Sequence, residues 1–350
     1  MEKVILIMDT KILYLLTFLM AFLSSILLTP FFRFVAIKLN IYDKPITAVK
    51  THKVSTPYFG GLAIWTSWTI SLLIIRLISN FPTGTLNNLR SLIVGSFLLL
   101  LLGLFDDIKK GGLGFKLKFL IQIIACLIVV VGFDIRINFI ENYILSVFLS
   151  IFWIIGLSNA FNLIDIMDGL SSGVAAVAAL FFFIIAFPGE FVYVNFCALA
   201  LCAACLGFIP YNLSKKMKIF MGDTGSLAIG FILATVAMGT SYTKINPVAV
   251  FAPILVLAVP IFETTFVSII RMKNGKNPFL GSKDHFPLRL EKAGLSRPKI
   301  LVFIYCMAIV FGILAYFIVN SNPILACIIF AITIVCLILF SVKLSKIKMD

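Results

Sequence analysis

Long apolar runs separated by short polar segments dominate the chain from end to end. A hydrocarbon core about 30 Å thick needs roughly 20 apolar residues per crossing helix. Measured with that ruler, the pattern predicts about eleven spans near 12–37, 58–79, 91–105, 117–133, 143–161, 168–187, 191–211, 224–242, 247–270, 300–319 and 323–342. The first run is too long for a signal-peptide core and continues into Pro30 and Arg33 without a small-residue cleavage site. No soluble domain fits between the runs. The expectation is an all-α, polytopic transmembrane bundle forming one domain over residues 1–350.

Composition sharpens this picture, because 61% hydrophobic against 13% charged residues is more apolar surface than a soluble fold can hide. The formal charge of +14 does not point to nucleic acid, since the basic residues sit in short connectors rather than in one block. An anionic bilayer surface explains them. Of the 29 Lys and Arg, 23 fall in alternate connectors on one side, from Arg33, Lys38, Lys44, Lys50 and Lys53 through to Lys343, Lys346 and Lys348. The positive-inside rule assigns that side to the cytoplasm, with the N-terminus outside and the C-terminus inside. All seven cysteines lie in apolar runs, so Cys202-x-x-Cys205 reads as helix packing rather than a metal or redox motif.

Carboxylates carry the chemical signal, because there are only 15 and charge at membrane depth is costly. Asp106, Asp107, Asp165, Asp168, Asp223 and Asp284 all fall at cytoplasmic connectors or helix ends. Asp106 and Asp107 follow the run ending Gly103-Leu104-Phe105, and adjacent like charges favour a cation or a proton between them. Asn159, Asn162, Asp165 and Asp168 recur every three residues, the spacing of one stripe along a helix. Met221-Gly222-Asp223-Thr224-Gly225-Ser226 joins a basic connector to a helix start, where free N–H groups attract anions. Carboxylates without a Cys/His cage suit Mg²⁺, with Mn²⁺ as the alternative, and Lys53, Lys116, Lys118 and His285 on the same side suit phosphate. Taken singly, each has a plainer reading: a solvated loop, a hydrogen bond between helices, a turn with a helix cap. Their coincidence on one face is what points to diphosphate chemistry.

At these residues the chain resembles the polyprenyl-phosphate N-acetylhexosamine-1-phosphate transferases, which include phospho-N-acetylmuramoyl-pentapeptide transferase. The resemblance runs from about Asp43 to Leu295. It takes in Asp43-Lys44-Pro45, His52-Lys53, Pro57-Tyr58-Phe59-Gly60-Gly61, Asp106-Asp107, Lys118 with Gln122, Asn159 to Leu170, Tyr211-Asn212 and Phe220 to Ser226. It implies transfer of an N-acetylhexosamine 1-phosphate from a UDP-sugar to polyprenyl phosphate, releasing UMP. In that scheme Asp223 binds Mg²⁺ with Asp107 beside it, and Phe220 is a platform under uracil. Asn159, Asn162, Asp165, Asp168, Asn212, Gly222 and Ser226 line the nucleotide-sugar pocket. Lys53 faces the diphosphate or the sugar, Asp106 and Asp107 handle the acceptor phosphate with Asp106 as general base, and Lys118, His285 and Arg289 supply positive charge. Direct attack is favoured because the lipid phosphate is already a nucleophile, with a covalent Asp intermediate left open as the alternative.

The late block Asp284-His285-Phe286-Pro287-Leu288-Arg289-Leu290 has one histidine where the family often has two or three, Ile166 replaces a common glycine, and Glu263 stands where Asp is frequent. A hydrogen bond within the helix bundle is the preferred reading of Glu263. The first loop and the single histidine favour the N-acetylglucosaminyl 1-phosphate branch over the muramoyl-pentapeptide branch. The expected setting is a bacterial cytoplasmic membrane with the site facing the cytoplasm, a role in starting envelope polysaccharide synthesis, no nucleic-acid partner, and a homodimer left open. A secondary transporter is the rival from another class, although no internal repeat is visible and the charges gather at one face rather than at mid-membrane.

Overall fold

The computed structural model describes residues 9–43, 54–79, 83–109, 111–187, 192–239, 242, 245–278 and 282–349. They group into two compact units, the first made of the described residues up to 239 and the second of those from 242 to 349. Thirteen α-helices account for nearly all regular structure among them, and the one sheet is a two-residue antiparallel bridge, β1 (Tyr42–Asp43) with β2 (Thr56–Pro57). The molecule is an all-α integral membrane protein.

The first unit contains α1 (Thr10–Lys38), α2 (Gly60–Ile78), α3 (Thr83–Ile108), α4 (Phe115–Leu127), α5 (Tyr143–Ile164), α6 (Leu170–Ala186), α7 (Val192–Asn212) and α8 (Gly222–Met238). At the centre lies α8, apolar on every side and buried from Thr224 to Ala237, packed against α2, α3 and α5. A helix apolar all round must find neighbours on every face. Small residues let the others close in: Ser25 Oγ of α1 donates to the Ala204 carbonyl of α7 at 2.7 Å, in a stretch rich in Ala, Cys and Gly. Cys202 and Cys205 are buried in this packing.

The second unit contains the short α9 (Ala252–Val256), α10 (Ala258–Lys273), α11 (Phe286–Lys292), α12 (Arg297–Asn320) and α13 (Pro323–Ser345). The span expected near 247–270 is broken here, with a bend of 72° between Pro247–Val256 and Ala258–Lys273. Pro260 explains the break, because it has no N–H for the carbonyl of Val256 and its ring crowds that carbonyl.

Among the described residues, eight helices are long and apolar enough to cross a membrane, or nine if the bent pair is one span. Two expected spans appear as shorter apolar helices, Leu170–Ala186 and Gly222–Met238. The expected short third span is longer than the apolar run suggested. Its helix takes in Asn87, Asn88 and Arg90 at its start and Asp106 and Asp107 at its end, since polar residues at a water-facing end need not stop a helix.

Candidate active site

One end of the first unit collects the ends of α3 and α5, the starts of α4 and α8, and the segment before α2. That segment fixes the approach to α8 by backbone pairing: Phe220 N donates to the Pro57 carbonyl, Gly60 N to the Phe220 carbonyl and Gly61 N to the Met221 carbonyl, each at 2.9 Å. A Cβ on Gly61 would collide with the backbone of Gly225, so only glycine lets α2 cross α8 this closely. Gly222 has φ +74°, a conformation glycine adopts freely, and a Cβ there would meet the Asp107 carboxylate.

Asp107 closes the start of α8. Its carboxylate accepts the N–H groups of Asp223 and Thr224 at 3.0 Å each and the Thr224 hydroxyl at 2.6 Å. The helix N-terminus expected to attract a phosphate or another anion is thus satisfied by one of the chain's own carboxylates. Asp107 is therefore placed as a cap on the Asp223 helix rather than with its oxygens turned to a metal or an acceptor.

Asp106 and Asp223 share a cation. Lys118 Nζ, in the first turn of α4, lies 2.8 Å from Asp106 Oδ2 and 2.7 Å from Asp223 Oδ2. Asp106 Oδ1 accepts the N–H of Leu113. The other oxygen of Asp223 accepts from Asn162 Nδ2 at 2.7 Å, and the same amide group donates to Ser226 Oγ at 3.0 Å.

The Asn/Asp series does not form one helical stripe, because α5 ends at Ile164, with Asp165 as its C-cap and Asp168 in the following turn. Asn159 exchanges hydrogen bonds with Gln122 at 2.8 and 3.3 Å, which ties α5 to α4. Asp168 pairs with Lys218 at 2.6 Å, and the Lys218 ammonium lies 5.2 Å from the centre of the Phe220 ring. Asp165 is half-buried; its backbone N–H donates to the Asn162 carbonyl at 3.4 Å, while its carboxylate makes no hydrogen bond or ion pair to the described residues. Burial, then the charges of Asp223 and Asp168, push its carboxyl up to about 8.

Asn212 is buried and its amide is consumed by backbone: Oδ1 accepts from Gly169 N, and Nδ2 donates to the Ile219 carbonyl at 2.8 Å. It joins the turn after Asp168 to the segment before Phe220, so both ends of its amide serve as a backbone tie. His285 and Arg289 belong to the second unit. His285 Nδ1 lies 2.6 Å from Glu263 Oε1, and Glu263 Oε2 accepts from Phe286 N at 3.1 Å, the internal hydrogen bonding expected of Glu263. Arg289 pairs with Asp284 at 3.2 Å and donates to the carbonyls of Leu344 and Ile347. Lys53, with Lys44, Pro45 and His52, lies outside the described residues.

Three contributors carry no role assigned from the sequence, although Tyr58 and Thr224 stand inside its motifs. Lys218 was counted only as connector charge, although its place two residues before Phe220 was the available signal. Thr224 was visible within the glycine-rich motif but not as a hydroxyl partner of Asp107. Tyr58 is half-buried near Phe220, with ring centres 6.5 Å apart; burial and then the neighbouring Asp43 hold its phenol well above the usual range. The second unit also carries an apolar cavity of about 300 Å³ between α10 and α13, lined by residues such as Phe262, Phe266, Ile269, Phe330 and Leu337.

The sequence profile of glycosyl transferase family 4 matches residues 89–241. The chain is 34% identical over 307 residues to the probable undecaprenyl-phosphate N-acetylglucosaminyl 1-phosphate transferase of Bacillus subtilis, covering 85% of this chain and 83% of that protein. It is 32% identical over 336 residues to the phospho-N-acetylmuramoyl-pentapeptide-transferase of Desulfotalea psychrophila, covering 84% and 89%. Over 296 residues it is 28% identical to the decaprenyl-phosphate N-acetylglucosaminephosphotransferase of Mycolicibacterium smegmatis, covering 76% and 71%.

Proposed function

The chain belongs to glycosyl transferase family 4, and from that premise we propose that it transfers N-acetylglucosamine 1-phosphate from UDP-N-acetylglucosamine to undecaprenyl phosphate, releasing UMP. The observation that carries this reading is the meeting of Asp106, Lys118, Asn162 and Asp223, from four separate helices, around one pair of carboxylates. A divalent ion fits this donor set. Among the described residues no three His, Cys, Asp or Glu side chains form a metal cage, and Mg²⁺ is ordinarily held by one or two carboxylates plus substrate phosphates. Asp223 and Asp106 would hold it, while Asp107 caps the start of α8. The ion supplies charge neutralisation to the diphosphate.

An oxygen of the lipid phosphate attacks the β-phosphorus of the UDP-sugar, a new O–P bond forms, and the bond to the bridging oxygen breaks with that oxygen leaving on UMP. A phosphate monoester has its second pKa near about 6, so the acceptor is already largely ionised at neutral pH and needs little help from a base. Asp106, paired with Lys118, serves to hold that ammonium where it can neutralise phosphate oxygens. Phe220 stacks under the uracil, with Lys218 and Asp168 ordering its edge. Burial pushes the Asp165 carboxyl up to about 8 in the metal-free chain, which favours the form that can donate a hydrogen bond to a substrate oxygen. The apolar cavity of the second unit suits part of a polyprenyl chain.

The excess of Lys and Arg in the same set of connectors supports a site facing the cytoplasm of a bacterial inner membrane. The Bacillus and Mycolicibacterium relatives, by their names, support the N-acetylglucosaminyl branch. The test is a panel in which detergent-solubilised protein with Mg²⁺ and undecaprenyl phosphate is offered individual UDP-sugars and UMP is measured. UMP from UDP-N-acetylglucosamine is the expected result. Turnover of only UDP-N-acetylmuramoyl-pentapeptide would move the protein to the other branch. Movement of a UDP-sugar across vesicles without UMP would make it a transporter.

A further inference from the structure

A single ammonium joins the two carboxylates assigned above to the metal. Lys118 Nζ is within 2.8 Å of both Asp106 and Asp223, at the bottom of a half-buried site where opposite charges interact more strongly than in bulk water. Asp107 stands apart from this pair, its oxygens accepting the α8 N–H groups and the Thr224 hydroxyl.

We infer that Lys118 is the internal counter-ion of the metal position: it bridges Asp106 and Asp223 in the metal-free protein, and a divalent cation binds by displacing it from Asp223. Lys118 thereby sets the metal affinity, and its displaced ammonium, still held by Asp106, becomes available to a substrate phosphate. Two further features suit the exchange. A lysine ammonium sits on a flexible four-carbon stem with three rotatable donors, so it can leave one carboxylate and keep the other. Asn162, another partner of Asp223, also donates to Ser226 Oγ, so it is not stranded when Asp223 turns to the metal. This inference rests on the metal assignment in the proposed function, and its test separates the two.

The measurement is equilibrium binding of Mn²⁺, as probe ion, to the purified full-length protein in detergent without substrates, followed by the electron paramagnetic resonance signal of free Mn²⁺. Lys118→Met is expected to bind Mn²⁺ about tenfold more tightly than the natural protein, because a competing charge has been removed. Lys118→Arg keeps the charge and is expected to retain the natural affinity. The metal-free Lys118→Met protein should also melt lower and gain more melting temperature from Mn²⁺ than the natural protein does, because its two carboxylates have lost their cation. If Lys118→Met does not fold, Lys118→Gln serves in its place. Unchanged or weaker Mn²⁺ binding on removing the Lys118 charge, with Asp223→Asn still weakening it, would overturn the inference and leave the metal assignment standing. Undiminished Mn²⁺ binding by Asp223→Asn would overturn the assignment itself, and the inference with it.

Discussion

Asp107 caps the helix that carries Asp223, accepting the Asp223 N–H at 3.0 Å while the next residue, Thr224, adds its N–H at 3.0 Å and its hydroxyl at 2.6 Å. Two residues more than a hundred positions apart in the chain are thus one structural unit, and adjacent aspartates take different work: Asp107 builds the site, while Asp106 faces the Lys118 ammonium.

From this division, Asp107→Ala should lower stability by about 1–3 kcal/mol through loss of a charged cap and its hydrogen bonds. Thermal melting in detergent checks it. A melting temperature equal to that of the natural protein would remove the capping role.

Gly61→Ala should be destabilising by about 1–3 kcal/mol, because the added methyl meets the Gly225 backbone where α2 crosses α8. Gly156→Ala in α5 is the control: nothing lies within 4 Å of a Cβ there, and alanine should stabilise that helix by about 0.5–1 kcal/mol. Equal melting temperatures for the two variants would contradict the close crossing.

Much of this architecture was legible in the pattern of apolar runs, since a helix that must satisfy its own backbone in lipid leaves a long, plain signature. The helix break at Leu257 was not, because residues 247–262 are apolar straight through and carry three prolines, Pro247, Pro253 and Pro260, of which only the last falls where it breaks a helix. Within the site, the spacing of Asn159, Asn162, Asp165 and Asp168 suggested a helix that ends at Ile164 in fact. Periodicity cannot tell a helix from a turn that keeps step for one more cycle. Nor can sequence say which of two neighbouring aspartates points inward, since both share the same local pattern. That choice is made by where the start of α8 lies against the end of α3.

Phe220→Ala should weaken binding of UMP or a UDP-sugar about tenfold to a hundredfold if the ring carries the base, since aromatic stacking on a base is worth about 1–3 kcal/mol. Lys218→Met, which loses the partly exposed pair with Asp168, should cost about tenfold at most. Equilibrium nucleotide binding checks both, and a larger loss for Lys218→Met than for Phe220→Ala would reassign the platform.

Asp165 gives the metal-free protein a pH dependence of definite sign. With a folded-state value of about 8 against an ordinary 3.8, the folded chain holds a proton that the unfolded chain has released. Its stabilising contribution is fully present below about pH 4 and is lost as pH rises toward about 8. Melting curves without divalent ions should therefore show a smaller fall in stability across this range for Asp165→Asn than for the natural protein. Parallel curves would remove Asp165 from its half-buried position beside Asp223.

The most direct measurement is UMP release from UDP-N-acetylglucosamine, with Mg²⁺ and undecaprenyl phosphate, by purified natural protein and by Asp223→Asn. Loss of a metal-binding charge at the point where the helices meet should reduce turnover by several orders of magnitude while the variant still melts as a folded protein. Near-natural turnover by Asp223→Asn would contradict the account.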